Sequence, residues 1–171
     1  RIGDLILAAG DQRTRGFLLG ATAGRSFAGE GLQHADGDSI LVAGTVPNCK
    51  AYDPTFSYEV AVILQDGIRR MGHDQEDVFY YVTLMNENYA HPDMPAGCEE
   101  GIIKGMYLYR EADKSKGKAK VPRVQLLASG VVVLEALKAA DLLDQEFGVK
   151  ADVWSCPSFT ELSRDGFDCE R

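Results

Sequence analysis

The sequence predicts an α/β fold in which parallel sheets are flanked by helices. Three observations carry that reading. Residues 123–155 run strand, helix, strand ("RVQLLASG", "VVVLEALKAADLLDQEFG", "ADVWS"), a unit whose crossover joins parallel strands in the right-handed sense. "DVFYYVTLM" is an almost unbroken run of aromatic and β-branched residues, the composition of a strand buried on both faces. Before it, "DPTFSYEVAVILQDGIRRM" repeats apolar residues at helical spacing, so helix and strand alternate in both halves of the chain.

The elements follow in order. Ile2, Leu5, Ile6 and Ala9 fall near helical spacing and predict a first helix. "GFLLGATAG" is short, apolar and broken by glycine, which predicts a buried strand. "ILVAGTVPNCKAYDP" predicts a short helix or turn and then a strand near Cys49–Tyr52. In the next helix Asp53 is placed to cap, Pro54 suits the first position, and Glu59 lies where the helix dipole favours an acid. Its expected inward stripe is Phe56, Val60, Ile63, Leu64, Ile68 and Met71, with Arg69 and Arg70 closing the last turn.

Residues 90–122 change character: prolines and glycines, a brief strand in "MYLYR", then polar "EADKSKGKAKVP". They predict one unit over 1–93, a linker over 94–122 and the start of a second unit over 123–171. In that second unit Leu134, Leu137, Leu142 and Phe147 are the expected inward face of a helix ending at Gly148. The tail "SFTELSRDGFDCER" starts a helix, with Ser158 as cap and Glu161 three positions on to complete a capping box.

A hydrophobic content of 45% can fill a core, and 171 residues suffice for one full domain or two small pieces. The net charge of −8 argues against a nucleic-acid surface, and the local run Lys114, Lys116, Lys118 and Lys120 reads as a solvated linker or hairpin tip. No apolar run approaches the roughly 18 residues that cross a bilayer. Cys49, Cys98, Cys156 and Cys169 match no zinc spacing, so no metal site and a reduced, cytoplasmic setting are expected. The chain opens on Arg1 without a Met, and its ends read as cut.

The motifs are mostly plain. Asp36–Gly37–Asp38 in "ADGDS" pairs carboxylates near a glycine, as a hard-cation site would, but no further ligands follow and it reads as a turn. "SGVVV" has only Gly130 and reads as a tight strand-to-helix connection rather than a phosphate loop. "NENY", Asn86 to Tyr89, follows the end of the buried strand, where it either lines a cleft or caps a turn. His34 in "AGEGLQHADGDS" stands apart. An imidazole is the side chain suited to proton exchange near neutral pH, and here it sits on a glycine-rich loop among Glu30, Asp36 and Asp38. Such a loop histidine is either a catalytic group or an idle surface residue.

"RIGDLILAAGDQRTRGFLLGATAGR", "GEGLQHADG", "PNCKAYDP", "YEVAVILQDGIRRM", "LMNENY" and "SFTELSRDGFDCER" together resemble the homodimeric, bacterial-type pyruvate dehydrogenase family, the thiamine-diphosphate-dependent first component of its complex. The resemblance runs from Arg1 to Arg171 but covers a minor part of the family's length. It implies the later half of the pyrimidine-binding domain over 1–93 and, after the linker, the start of the transketolase-like C-terminal domain over 123–171. It also implies decarboxylation of pyruvate and acetyl transfer to the lipoyl domain of the dihydrolipoamide acetyltransferase component, by an enzyme that uses thiamine diphosphate and Mg2+. The main ligands of that cofactor would lie outside this chain. His34 matches the family's catalytic histidine, and Glu30 of the same motif would shape the loop or a subunit contact near the cofactor. The family often carries a histidine where Asp38 stands, so a second loop histidine is not implied. Two other readings share the sequence: a non-catalytic α/β assembly module, and another thiamine-dependent 2-ketoacid enzyme of the transketolase superfamily.

Overall fold

The computed structural model describes residues 2–21, 38–85, 88–113 and 121–171. In chain order the elements are α1 (Ile2–Asp11), β1 (Phe17–Ala21), α2 (Ser39–Gly44), β2 (Cys49–Tyr52), α3 (Ser57–Ile68), β3 (Phe79–Leu84), α4 (Glu99–Lys104), β4 (Tyr107–Arg110), β5 (Arg123–Ala128), α5 (Val132–Phe147), β6 (Lys150–Ser155) and α6 (Phe159–Glu170). A π-helical turn, Arg69–His73, extends α3. The first sheet has the order β1-β3-β2 and is parallel throughout. The second has the order β4-β6-β5, with β5 and β6 parallel and β4 antiparallel on the other edge of β6.

β3 sits in the middle of its sheet, and its alternation divides the interior. Phe79 and Tyr81 face a cluster with Ala43, Val46, Cys49 and Ala51 beneath α2. Tyr80 and Val82 face a cluster with Tyr52, Ile63, Met71 and Ile102 beneath α3 and α4. β1, expected to be buried, is an edge strand instead, and Leu18 and Leu19 are exposed.

α3 begins at Ser57 with Phe56 at its N-cap, three residues later than a cap at Asp53 would require. The Asp53 carboxylate is used elsewhere, accepting from Thr83 Oγ1 and Ser129 Oγ. The inward stripe also differs from the apolar pattern: Glu59, Ile63, Asp66 and Gly67 are buried, whereas Ile68 is 64% exposed. Two acids displace apolar residues from the buried face because each finds donors there, Glu59 at the helix start and Asp66 at Tyr80 and Arg69.

Residues 94–113 are not a featureless tether, since they carry α4 and β4. α4 is too short and polar to announce itself by periodicity, yet Ile102 is fully buried against α3 and contributes about 1.5–3 kcal/mol by leaving water.

In the second unit α5 packs Val133 and Ala140 onto β5 and β6, while Leu142 and Phe147 of the expected inward face are exposed. Gly148 closes α5 in the left-handed conformation (φ 62°), and the Gly148 and Val149 N–H groups donate to the Asp144 and Leu143 carbonyls. Ser158 caps α6 by accepting from the Glu161 N–H. The reciprocal half of that capping box is missing, because the Glu161 carboxylate pairs with Lys50 and Arg164.

Two aromatic residues are seated across the units. Phe56 precedes α3 but packs in the core beneath α5, and Tyr107 starts β4 but packs in the core beneath α3. Ser158 Oγ and Thr160 Oγ1 both donate to the Ala51 carbonyl on β2, which docks the start of α6 on the first sheet.

Candidate functional site

All three strands of the first sheet run the same way, so their carboxyl ends share one edge. Ligands bind beyond such ends in open α/β sheets. At this edge Pro54, Thr55, Phe56, Ser57, Val60, Thr83, Leu84, Met85, Tyr89 and His91 line an open cleft of about 300 Å³.

The segment from the end of β2 to the first residue of α3, residues 53–57, forms one wall and is fixed from every side. The Asp53 N–H donates to the Pro157 carbonyl, and Gly130 N–H donates to the Asp53 carbonyl. Thr55 Oγ1 donates to the Gly130 carbonyl at 2.7 Å, and the Tyr89 hydroxyl donates to the Thr55 carbonyl. Ser57 N–H donates to His91 Nδ1 at 3.1 Å, so that nitrogen carries no proton in this arrangement and Nε2 carries it. The rings of Tyr89 and His91 lie 4.8 Å apart.

Glu59 holds the same segment from within. It is fully buried and accepts from the backbone N–H groups of Thr55 and Phe56 and from the hydroxyls of Tyr107 and Ser155. Tyr58 adds a second phenol, 2.6 Å from the Tyr107 oxygen. Burial, reinforced by the facing Glu59 carboxylate, pushes the Tyr107 phenol far above its ordinary pKa. Burial likewise pushes the thiols of Cys49 and Cys156 up to about 11, which makes them packing groups rather than nucleophiles.

His34, Glu30, Asp36 and Gly37 lie outside the described residues, as do Asn86, Glu87 and the lysines of 114–120. The chain passes into residues 22–37 from the carboxyl end of β1, the edge that carries the cleft. Asp38 stands at the N-cap of α2 without a capping side-chain hydrogen bond. Gly130 makes the tight connection expected of "SGVVV": its φ is +54°, and a Cβ there would meet the Asp53 carboxylate at 2.8 Å. Among the described residues no group of three or more His, Cys, Asp or Glu could hold a metal ion. Sequence reasoning missed Asp53 and Glu59 as the groups that fasten the cleft wall. The one signal was two acids six residues apart around a helix start.

The family profile described as "Pyruvate dehydrogenase E1 component middle domain" matches residues 1–92. The chain belongs to the pyruvate dehydrogenase E1 component family. A second profile of that chain, "Transketolase-like TK C-terminal domain", matches residues 105–170. Relatives named pyruvate dehydrogenase E1 component are 59% identical in Cupriavidus necator, 56% in Escherichia coli K12 and 51% in Mycolicibacterium smegmatis, each match covering 100% of this chain. The chain spans about a fifth of their length, 18–19%. Its fold is transketolase-like. The transketolase of Leishmania mexicana matches with a TM-score of 0.68 at 16% identity, covering 94% of this chain and 22% of that one. The transketolase of Campylobacter jejuni matches with a TM-score of 0.63 at 20% identity, covering 86% and 21%. Within this family fold the antiparallel β4 makes the second sheet mixed.

Proposed function

We propose that the chain is part of a thiamine-diphosphate-dependent pyruvate dehydrogenase, and that His34 acts at its reacting centre. The observation that carries the reading is identity of 51–59% over the whole chain to relatives of that name. The topology supports it, because β1, the strand before the motif, ends at Ala21 on the edge where α/β proteins place ligands. In this reading residues 1–93 are the later half of the pyrimidine-binding domain, 94–122 connect, and 123–171 begin the C-terminal domain.

Thiamine diphosphate, when bound, supplies the nucleophilic carbon that attacks a 2-keto acid. The described residues make no seat for its charged end. No metal cluster is present among them, and the Gly130 amide is already committed to Asp53. The diphosphate and Mg2+ are therefore assigned to residues outside those described, and no step is derived through them. What this chain contributes is an imidazole. As charge develops on the substrate oxygen, a positioned N–H donor at His34 stabilises it and can pass a proton. Glu30, four residues earlier, shapes the same loop beside the cofactor or the subunit contact.

The enzyme is proposed to act as a homodimer in the cytoplasm, on pyruvate, handing an acetyl group to the lipoyl domain of the acetyltransferase component. Among the described residues no helix is long and apolar enough to cross a membrane.

The test is His34→Ala in the full-length enzyme. Loss of about 10²–10³ in kcat, the usual cost of one oxyanion donor, with the dimer intact by sedimentation supports catalysis. Normal turnover per dimer with weakened dimerisation assigns the loop to assembly instead. Faster turnover of another 2-keto acid than of pyruvate would correct the substrate.

A further inference from the structure

Glu59 is an unusual group to bury. It is fully inaccessible, and its hydrogen-bond partners among the described residues are two backbone N–H groups and two hydroxyls, all neutral. A buried carboxylate costs several kcal/mol unless its oxygens are saturated with donors. Here they are, and the division of labour between the two oxygens is informative. Oε2 accepts from Thr55 N–H at 2.5 Å and Phe56 N–H at 3.2 Å, both in the cleft wall. Oε1 accepts from Tyr107 Oη at 2.7 Å and Ser155 Oγ at 2.6 Å, on β4 and β6 of the second sheet. One oxygen thus serves the wall and the other serves the second unit.

We infer that Glu59 is a positioning residue through which the second sheet sets the geometry of the cleft wall at residues 53–57. The bonds that shape the wall are local, but the carboxylate that accepts them is itself held from the second sheet. The Thr55 and Phe56 N–H groups precede the first turn of α3 and have no intrahelical acceptor. Their acceptor is the Glu59 carboxylate, whose rotation about its own axis is stopped by the two hydroxyls behind it. Phe56, packed among Ala128, Val133 and Val153, and Thr55, bonded to Gly130, repeat the same tie by other means. The consequence is that removing atoms remote from the cleft should loosen it.

The experiment uses the full-length enzyme carrying Tyr107→Phe together with Ser155→Ala. Neither side chain lines the cleft, and the pair removes both donors to Oε1 and neither donor to Oε2. Hydrogen–deuterium exchange on peptides within residues 52–60 should quicken at least tenfold at Thr55 and Phe56, while the α3 amides beyond Ile63 keep their rates. The activity readout rests on the proposed function: the pyruvate KM should rise several-fold with kcat within about twofold, because misplacement of a wall weakens ground-state and transition-state binding alike. Glu59→Gln should stay near the parent on both readouts, since its amide can donate to two hydroxyls that also accept. Glu59→Leu should show the full effect, and if it fails to fold, the hydroxyl pair decides. Unchanged exchange at Thr55 and Phe56 in the hydroxyl variant overturns the inference, whatever the kinetics. A parent enzyme inactive on pyruvate refutes the functional reading, and the exchange measurement still decides this one.

Discussion

Gly130→Ala should destabilise the chain by about 2–4 kcal/mol, and Gly148→Ala by only about 1–2, although both glycines bracket the same helix. Both have positive φ, +54° and +62°, so an alanine at either pays the left-handed penalty of about 1–2 kcal/mol. Their surroundings differ. A Cβ at Gly148 would meet nothing within 4 Å, whereas one at Gly130 would lie 2.8 and 2.9 Å from the two Asp53 carboxylate oxygens. That carboxylate is buried and accepts from Thr83 and Ser129, each at 2.5 Å. Relieving the clash must distort or break one or both bonds, at about 1 kcal/mol each. Urea unfolding of the 171-residue chain, followed by fluorescence of its single tryptophan, Trp154, measures both variants on one scale. Repeating Gly130→Ala in an Asp53→Ala background should shrink its cost to the strain alone. Equal costs for the two glycines within about 0.3 kcal/mol, or a Gly130 penalty that survives removal of Asp53, would refute the reasoning.

Two further outcomes follow from buried groups. Ile63→Ala should cost about 2–5 kcal/mol and Ile68→Ala under about 0.5, because Ile63 is 1% exposed and Ile68 64%; urea midpoints of the two variants check this. Asp152 is held well below the ordinary carboxylate range, first by its bonds to Arg123 and then by the Ala112 N–H and Gln125. A folded pKa depressed in this way stabilises above about pH 4, the unfolded value, and the contribution drains as pH falls toward the folded one. Arg123→Gln should therefore lower stability at neutral pH and flatten its fall as the pH drops below about 4. Parallel stability curves for parent and variant would rule this out.

Much of the fold was legible because local chemistry announces it. Cys49–Tyr52 and Phe79–Leu84 are strands rich in aromatic and apolar residues, Gly148 ends α5 by its left-handed turn, and Ser158 caps α6. The misreadings share one cause. Asp53 and Glu59 were weighed as helix-start acids, while Ile68, Leu142 and Phe147 were weighed as core, because periodicity ranks residues by polarity alone. Donors such as Thr83, Ser129, Tyr107 and Ser155 are 30 to 96 residues away in sequence, and a window of one helix cannot contain them. Of the candidate site, His34 and Glu30 were legible as motif residues, whereas the cleft and its carboxylate fastenings were not.

By itself the sequence determined the family, the α/β class and the residue types available for chemistry, since these depend on local pattern and on strings such as "GEGLQH". Only the tertiary structure decided which acids go inside, that β4 runs antiparallel, and that the cleft wall and the second sheet share one carboxylate. The physical reason is desolvation: a charged or polar group is affordable in the interior only where folding brings distant donors within about 3 Å of it, and no local pattern encodes that meeting.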